Sequence, residues 1–81
     1  MDTQLFGKYK NQLLPVGTFF KLVRKDTGLS QESVSIDTNI TQSTLSRIEN
    51  NQFYPSIVQF FILRKYYGFD ESCFALIEGL S

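Results

Sequence analysis

Between Ser30 and Asn50 the chain places two short helix signals almost back to back, and this spacing limits the fold more than any other stretch. Ser30 is a good N-cap, with Gln31 and Glu32 behind it in the first turn. Val34 is the inward residue of that helix. Asn39 follows, and asparagine is the best non-glycine residue for a left-handed turn, so the chain can reverse there. Ile40 returns to the core and Thr41 offers a hydroxyl to cap the next helix. On a wheel of about 100° per residue, Leu45 and Ile48 share one side of that helix. Ser43, Ser46, Arg47 and Asn50 take the opposite side, with Gln42 at its edge. The inner face is narrow and apolar; the outer face is short, polar and rich in hydrogen-bonding groups.

Two short helices joined by a tight turn form a helix-turn-helix. The second helix is a rod of roughly 14 Å, close to the ~12 Å width of the DNA major groove.

The bulk numbers favour a small folded domain. Eighty-one residues with 42% apolar and 15% aromatic content make one globular domain with a small core. No apolar run approaches the ~20 residues of a membrane span, and no basic segment leading into an apolar block marks a signal peptide. Cys73 is the sole cysteine, which rules out an intramolecular disulfide and fits a reducing cytoplasm. Histidine is absent, and with it the commonest general base and metal ligand. No Gly-rich phosphate loop or metal-ligand cluster is present. The carboxylates Asp26, Glu32, Asp37, Glu49, Asp70, Glu71 and Glu78 form no recognisable acid–base pair. An enzyme is therefore not expected, nor a cofactor or metal. Eight basic and eight acidic residues cancel. That argues against strong nucleic-acid binding by a monomer, though not against a local basic patch.

The rest of the chain reads as helices around this motif. Leu5, Tyr9 and Leu13 recur at four-residue spacing within residues 1–14, as a short helix or an arm. That arm either packs on the domain or, through Lys8 and Lys10, touches DNA or exchanges between copies. Residues 15–81 are the domain proper. Pro15 suits a first helical turn, Val16, Phe19, Phe20 and Val23 share a face, and Gly28 ends that helix. Asn51 is a plausible left-handed cap after the third helix, and Ser56 caps a fourth that closes at Gly68. Asp70 can cap a fifth, to about Glu78. The expectation is all-α, a compact five-helix bundle near 15–27, 30–38, 41–50, 56–67 and 70–78, with no strands and no internal repeats.

The ordered set Val16-Gly17, Val23-Arg24, Gly28-Leu29-Ser30-Gln31-Glu32, Ile40 through Asn50, Pro55-Ser56 and Tyr67-Gly68-Phe69 resembles the phage repressor/Cro (XRE-like) helix-turn-helix family over about residues 16–78. The resemblance implies a lambda-repressor-like bundle that binds operator DNA as a dimer. It implies that Gln31 meets a phosphate, that Gln42, Ser43, Ser46 and Arg47 face base edges, and that Asn50 lies near the backbone. The chemistry agrees, since Gln suits adenine, Arg suits guanine, and Ser suits either base or phosphate. The resemblance also implies an internal ion pair between Arg24 and Glu49. Departures exist: Asn39 stands where the family has a turn glycine, and Thr38 where a leucine is usual, which weakens the core. Ile36 replaces a polar residue, and Gln52-Phe53-Tyr54 carries no base where many relatives do. Phe53 and Tyr54 either cover the core or touch sugar and backbone.

The fourth helix is apolar around nearly its whole circumference, through Ile57, Val58, Phe60, Phe61, Ile62, Leu63, Tyr66 and Tyr67. A helix of that kind is covered on both sides. Either the fifth helix and the arm cover it, or it forms a dimer or partner surface through Phe61 and Ile62, extended by Phe69, Phe74, Leu76, Ile77 and Leu80. Two functions follow: a dimeric, sequence-specific repressor acting on double-stranded DNA in the cytoplasm, or a protein-interaction module, adaptor or antitoxin-like, that keeps the fold with weak or no DNA affinity.

Overall fold

The computed structural model describes residues 14–69 and Ile77. Among these residues it holds four α-helices: α1 (Val16–Thr27), α2 (Gln31–Thr38), α3 (Gln42–Glu49) and α4 (Ile57–Tyr66). None is long and apolar enough to cross a membrane.

The helix starts are set by hydroxyl caps. Ser30 accepts the N–H of Ser33, Thr41 that of Thr44, and Ser56 that of Gln59. Each satisfies a donor that the first turn leaves open. Ser56 adds a capping box, with the Gln59 amide oxygen accepting the Ser56 N–H. Pro15 stands one residue outside α1 rather than in its first turn, with an extended ψ of 146°.

The helix ends are set by left-handed residues. Gly28, Asn51 and Gly68 each have φ between 59° and 80°. At each, the N–H of that residue and of the next return to the last turn: Gly28 to Lys25 and Leu29 to Arg24, Asn51 to Ile48 and Gln52 to Arg47, Gly68 to Lys65 and Phe69 to Arg64. This is the Schellman closure. Asn39, with φ 61°, makes the simpler single bond to the Ser35 carbonyl. Thr38 before it weakens the core less than a lost leucine suggests. Its hydroxyl donates to the Val34 carbonyl and accepts from the Ile40 N–H, which stiffens the turn.

The caps aim the apolar faces at one core. Val16, Phe19, Phe20 and Val23 of α1 meet Val34, Ile40, Leu45, Phe60, Leu63, Tyr67, Phe69 and Ile77. Phe20 is the aromatic hub, with Phe60 edge-on at 5.6 Å and Tyr67 stacked at 6.2 Å; Phe19 meets Phe69 at 5.4 Å. Such pairs add about 0.5–1.5 kcal/mol each beyond the area they bury. Gly17 lets α1 and α3 touch, because a Cβ there would lie 1.8 Å from the Ile48 carbonyl oxygen.

The five-helix expectation is replaced by four helices among the described residues. The segment expected as a fifth helix, 70–78, lies outside them except for Ile77. That residue forms an isolated parallel bridge with Leu14 instead of a helical turn. Its side chain is fully buried in the core. The arm over 1–14 is likewise outside, apart from Leu14.

Candidate nucleic-acid interface

The α2–turn–α3 unit presents one face outward because its other face is committed. Leu45, Ile48 and Glu49 of α3 are buried; Gln42, Ser43, Arg47 and Asn50 are exposed and Ser46 is half-buried. The exposed side chains are nearly free to meet a ligand. Among the described residues the Ser43 hydroxyl hydrogen-bonds only that of Thr41, at 3.4 Å, and the Asn50 side chain donates to the Ser46 hydroxyl, also at 3.4 Å. The side chains of Gln42 and Arg47 form no hydrogen bond or ion pair within the described residues.

Glu49 fixes the angle at which this face is shown. Arg24 of α1 grips it with both arms of the fork, Nε to Oε2 at 2.8 Å and Nη2 to Oε1 at 2.9 Å. The remaining guanidinium arm donates to the Leu29 carbonyl at 2.9 Å. Gln31 of α2 donates its amide N–H to Glu49 Oε1 at 3.0 Å. A single buried carboxylate thus ties α1, α2 and α3 together. Its hydrogen bond to Arg24 is also the main reason that the guanidinium pKa is raised above its ordinary value, against the opposing pull of burial. A bidentate pair of this kind fixes geometry as well as charge. Gln31 is therefore not a loose arm at the start of α2. One N–H is engaged inward, leaving the second N–H and the carbonyl for an outside group.

Asn51 supplies a second tie that the sequence pattern did not reveal. Its side-chain oxygen accepts the Gly17 N–H at 3.0 Å, and its amide donates to the Thr18 hydroxyl at 2.8 Å. The end of α3 is pinned to the start of α1. The available sequence signal was the pairing of Gly17 with an asparagine suited to φ > 0, but nothing local identified the partner.

Among the residues expected at a dimer surface, Phe61 and Ile62 are exposed, with Ile57 and Val58 beside them. Arg64 lies over the Phe61 ring at 5.2 Å. Phe69 and Ile77, expected to extend that surface, are instead buried in the core, because both pack in the cluster with Phe19 and Phe20; Phe74, Leu76 and Leu80 lie outside the described residues. Phe53 and Tyr54 do not cover the core; both are exposed. A further long-range contact joins Tyr66 to Asp37 at 2.6 Å, between α4 and α2, and raises the tyrosine pKa.

A family model for the helix-turn-helix domain matches residues 17–79. The chain belongs to the helix-turn-helix domain family. No curated protein and no solved structure matches it. The matched span contains α2, the turn at Asn39 and α3.

Proposed function

We propose that this helix-turn-helix domain is a sequence-specific DNA-binding transcriptional regulator, a repressor of the phage repressor/Cro type, acting in the cytoplasm on double-stranded DNA. It binds a near-palindromic operator as a homodimer, with α3 in the major groove. The observation that carries the reading is the outward face of α3, held by the Arg24–Glu49–Gln31 network behind it. Gln42, Ser43, Ser46 and Arg47 are the base-edge readers. Gln31 takes a phosphate from the start of α2, where a helix dipole favours anions, and Asn50 lies near the DNA backbone.

Fluorescence anisotropy of labelled mixed-sequence duplex fragments across a salt series tests it. Binding that falls steeply as salt rises is the expected result. No binding at the lowest salt removes the reading.

One observation favours a second reading, a protein-interaction module. Ile57 and Val58 are 73% and 63% exposed on a helix that also shows Phe61 and Ile62. With a formal net charge of zero, such a domain can serve as an adaptor through α4 alone.

A further inference from the structure

We propose that the loop after α3 is a second DNA-contacting element, in which Phe53 and Tyr54 pack against deoxyribose in place of a cationic phosphate clamp. The inference rests on the DNA-binding reading above.

The loop is rigidly coupled to the recognition helix. It starts at the Schellman closure, where the Gln52 N–H bonds the carbonyl of Arg47, the residue proposed to read a base. Its root is held again by Asn51 on Gly17 and Thr18. Its direction is therefore fixed relative to α3. Beyond that root the chain exposes two adjacent aromatic rings, Phe53 at 39% and Tyr54 at 81%. Aromatic rings held out on a fixed loop are costly in water and signal a contact surface.

The shape and charge of the surface identify the occupant. Pro15, Asn51, Gln52, Phe53 and Tyr54 line an open cavity of about 240 Å³. That is below the roughly 300–1,000 Å³ of sites that enclose a free small molecule. It suits one unit of a polymer lying across it. No Lys or Arg occurs between Arg47 and Arg64, so the loop offers no cation to a phosphate. What it offers is apolar ring surface for the sugar, with the Gln52 amide and the Tyr54 hydroxyl as neutral donors for backbone oxygens. Neutral side chains of these types are among the groups that hydrogen-bond the DNA backbone. The surface also continues directly from Asn50, the last residue of the proposed DNA face.

The consequence is a backbone contact that salt does not weaken. Tyr54→Ala should weaken binding to a mixed-sequence duplex by about tenfold, the scale of burying part of one aromatic ring against apolar surface. Its salt slope should match that of the wild type. Tyr54→Lys should instead steepen the slope by about one unit. The chain has no tryptophan, so Phe53→Trp gives a lone emitter in the loop. Its fluorescence should be quenched on adding the duplex. Thermal melts of the Tyr54 variants, at a position so exposed, should match the wild type and exclude misfolding as the cause. If the wild type binds duplex while Tyr54→Ala binds equally well and the Trp signal does not change, the loop proposal is overturned and the α3 reading stands. If the wild type binds no duplex even at low salt, both are overturned.

Discussion

Asn51 combines a backbone role and a side-chain role, and the two can be separated. Its φ of 59° is a region where residues other than Gly, Asn and Asp are strained. Its side chain holds Gly17 and Thr18. Asn51→Gly keeps the backbone and loses the two bonds, at a cost of about 1–2 kcal/mol. Asn51→Ala loses the bonds and adds left-handed strain of about 1–2 kcal/mol more. Urea unfolding of the three proteins should rank them wild type, Gly, Ala. Equal stabilities for Gly and Ala would show that the turn is not held left-handed. Arg47 behaves differently. Its side chain is exposed and has no hydrogen bond or ion pair within the described residues, so Arg47→Ala should leave the melting temperature almost unchanged. If it reads guanine, specific affinity falls by about 1–3 kcal/mol and base preference relaxes at one position. Anisotropy against duplexes varied one base pair at a time measures both, and unchanged affinity and preference would take Arg47 out of the reading set.

At the level of helices, what was legible in the sequence was what acts locally. Ser30, Thr41 and Ser56 bond donors three residues on, and Gly28, Asn39 and Gly68 reverse the chain within one turn. Residue type alone reveals such devices. Contacts between helices were harder to read. Asn51 reaches Gly17 across 34 positions, Tyr66 reaches Asp37 across 29, and Gln31 reaches Glu49 across 18. No periodicity encodes which polar side chain meets which. A shared ending also went unread: Arg24-Lys25-x-x-Gly28-Leu29 and Arg64-Lys65-x-x-Gly68-Phe69 close α1 and α4 alike, each arginine donating to the carbonyl of the residue after the glycine. The first arginine also has Glu49; the second lies on the Phe61 ring. Tyr67, at the end of α4, packs on Phe20, and its burial pushes the phenol pKa well above the usual tyrosine value of about 10. A raised folded-state pKa means that the stabilisation is complete below about pH 10 and is lost as pH rises past the unfolded value, because the unfolded chain ionises first. Each such group contributes a slope of at most about 1.4 kcal/mol per pH unit. Tyr67→Phe should therefore flatten the alkaline arm of a stability–pH curve measured by urea unfolding. Tyr66, raised by its bond to Asp37, leaves a residual fall. An identical alkaline arm in the variant would mean that Tyr67 ionises as easily folded as unfolded.

The whole molecule has a charge and surface balance that a lone copy satisfies poorly. Its formal net charge is zero, and Arg47 is the one cation within α3, so one domain gathers few phosphates. Two copies with paired recognition helices double those contacts, at half-site centres about 34 Å apart. The exposed side of α4 supplies a candidate two-fold interface. Ile57 and Phe61 stand four residues apart, Val58 and Ile62 likewise, and all four are exposed while Phe60 and Leu63 fill the core. An isologous contact needs one patch that complements itself about the axis, and an apolar stripe along one helix can do so. A stable interface buries about 1,200–2,000 Å² in total, more than this stripe alone provides. We propose that the C-terminal residues Phe74, Leu76 and Leu80 supply the remainder. Phe61→Asp is the informative variant. It destroys the apolar stripe yet places a carboxylate three residues before Arg64, where an ion pair can replace the ring contact and keep the domain folded. Sedimentation equilibrium at micromolar concentrations should show a dimer for the wild type and a monomer for Phe61→Asp, with the variant's circular dichroism still helical. Its affinity for a full palindromic site should fall to that for a half-site. A variant that stays dimeric and keeps full-site affinity would move the interface away from α4, and the segment around Leu5 and Tyr9 would then be the next surface to substitute.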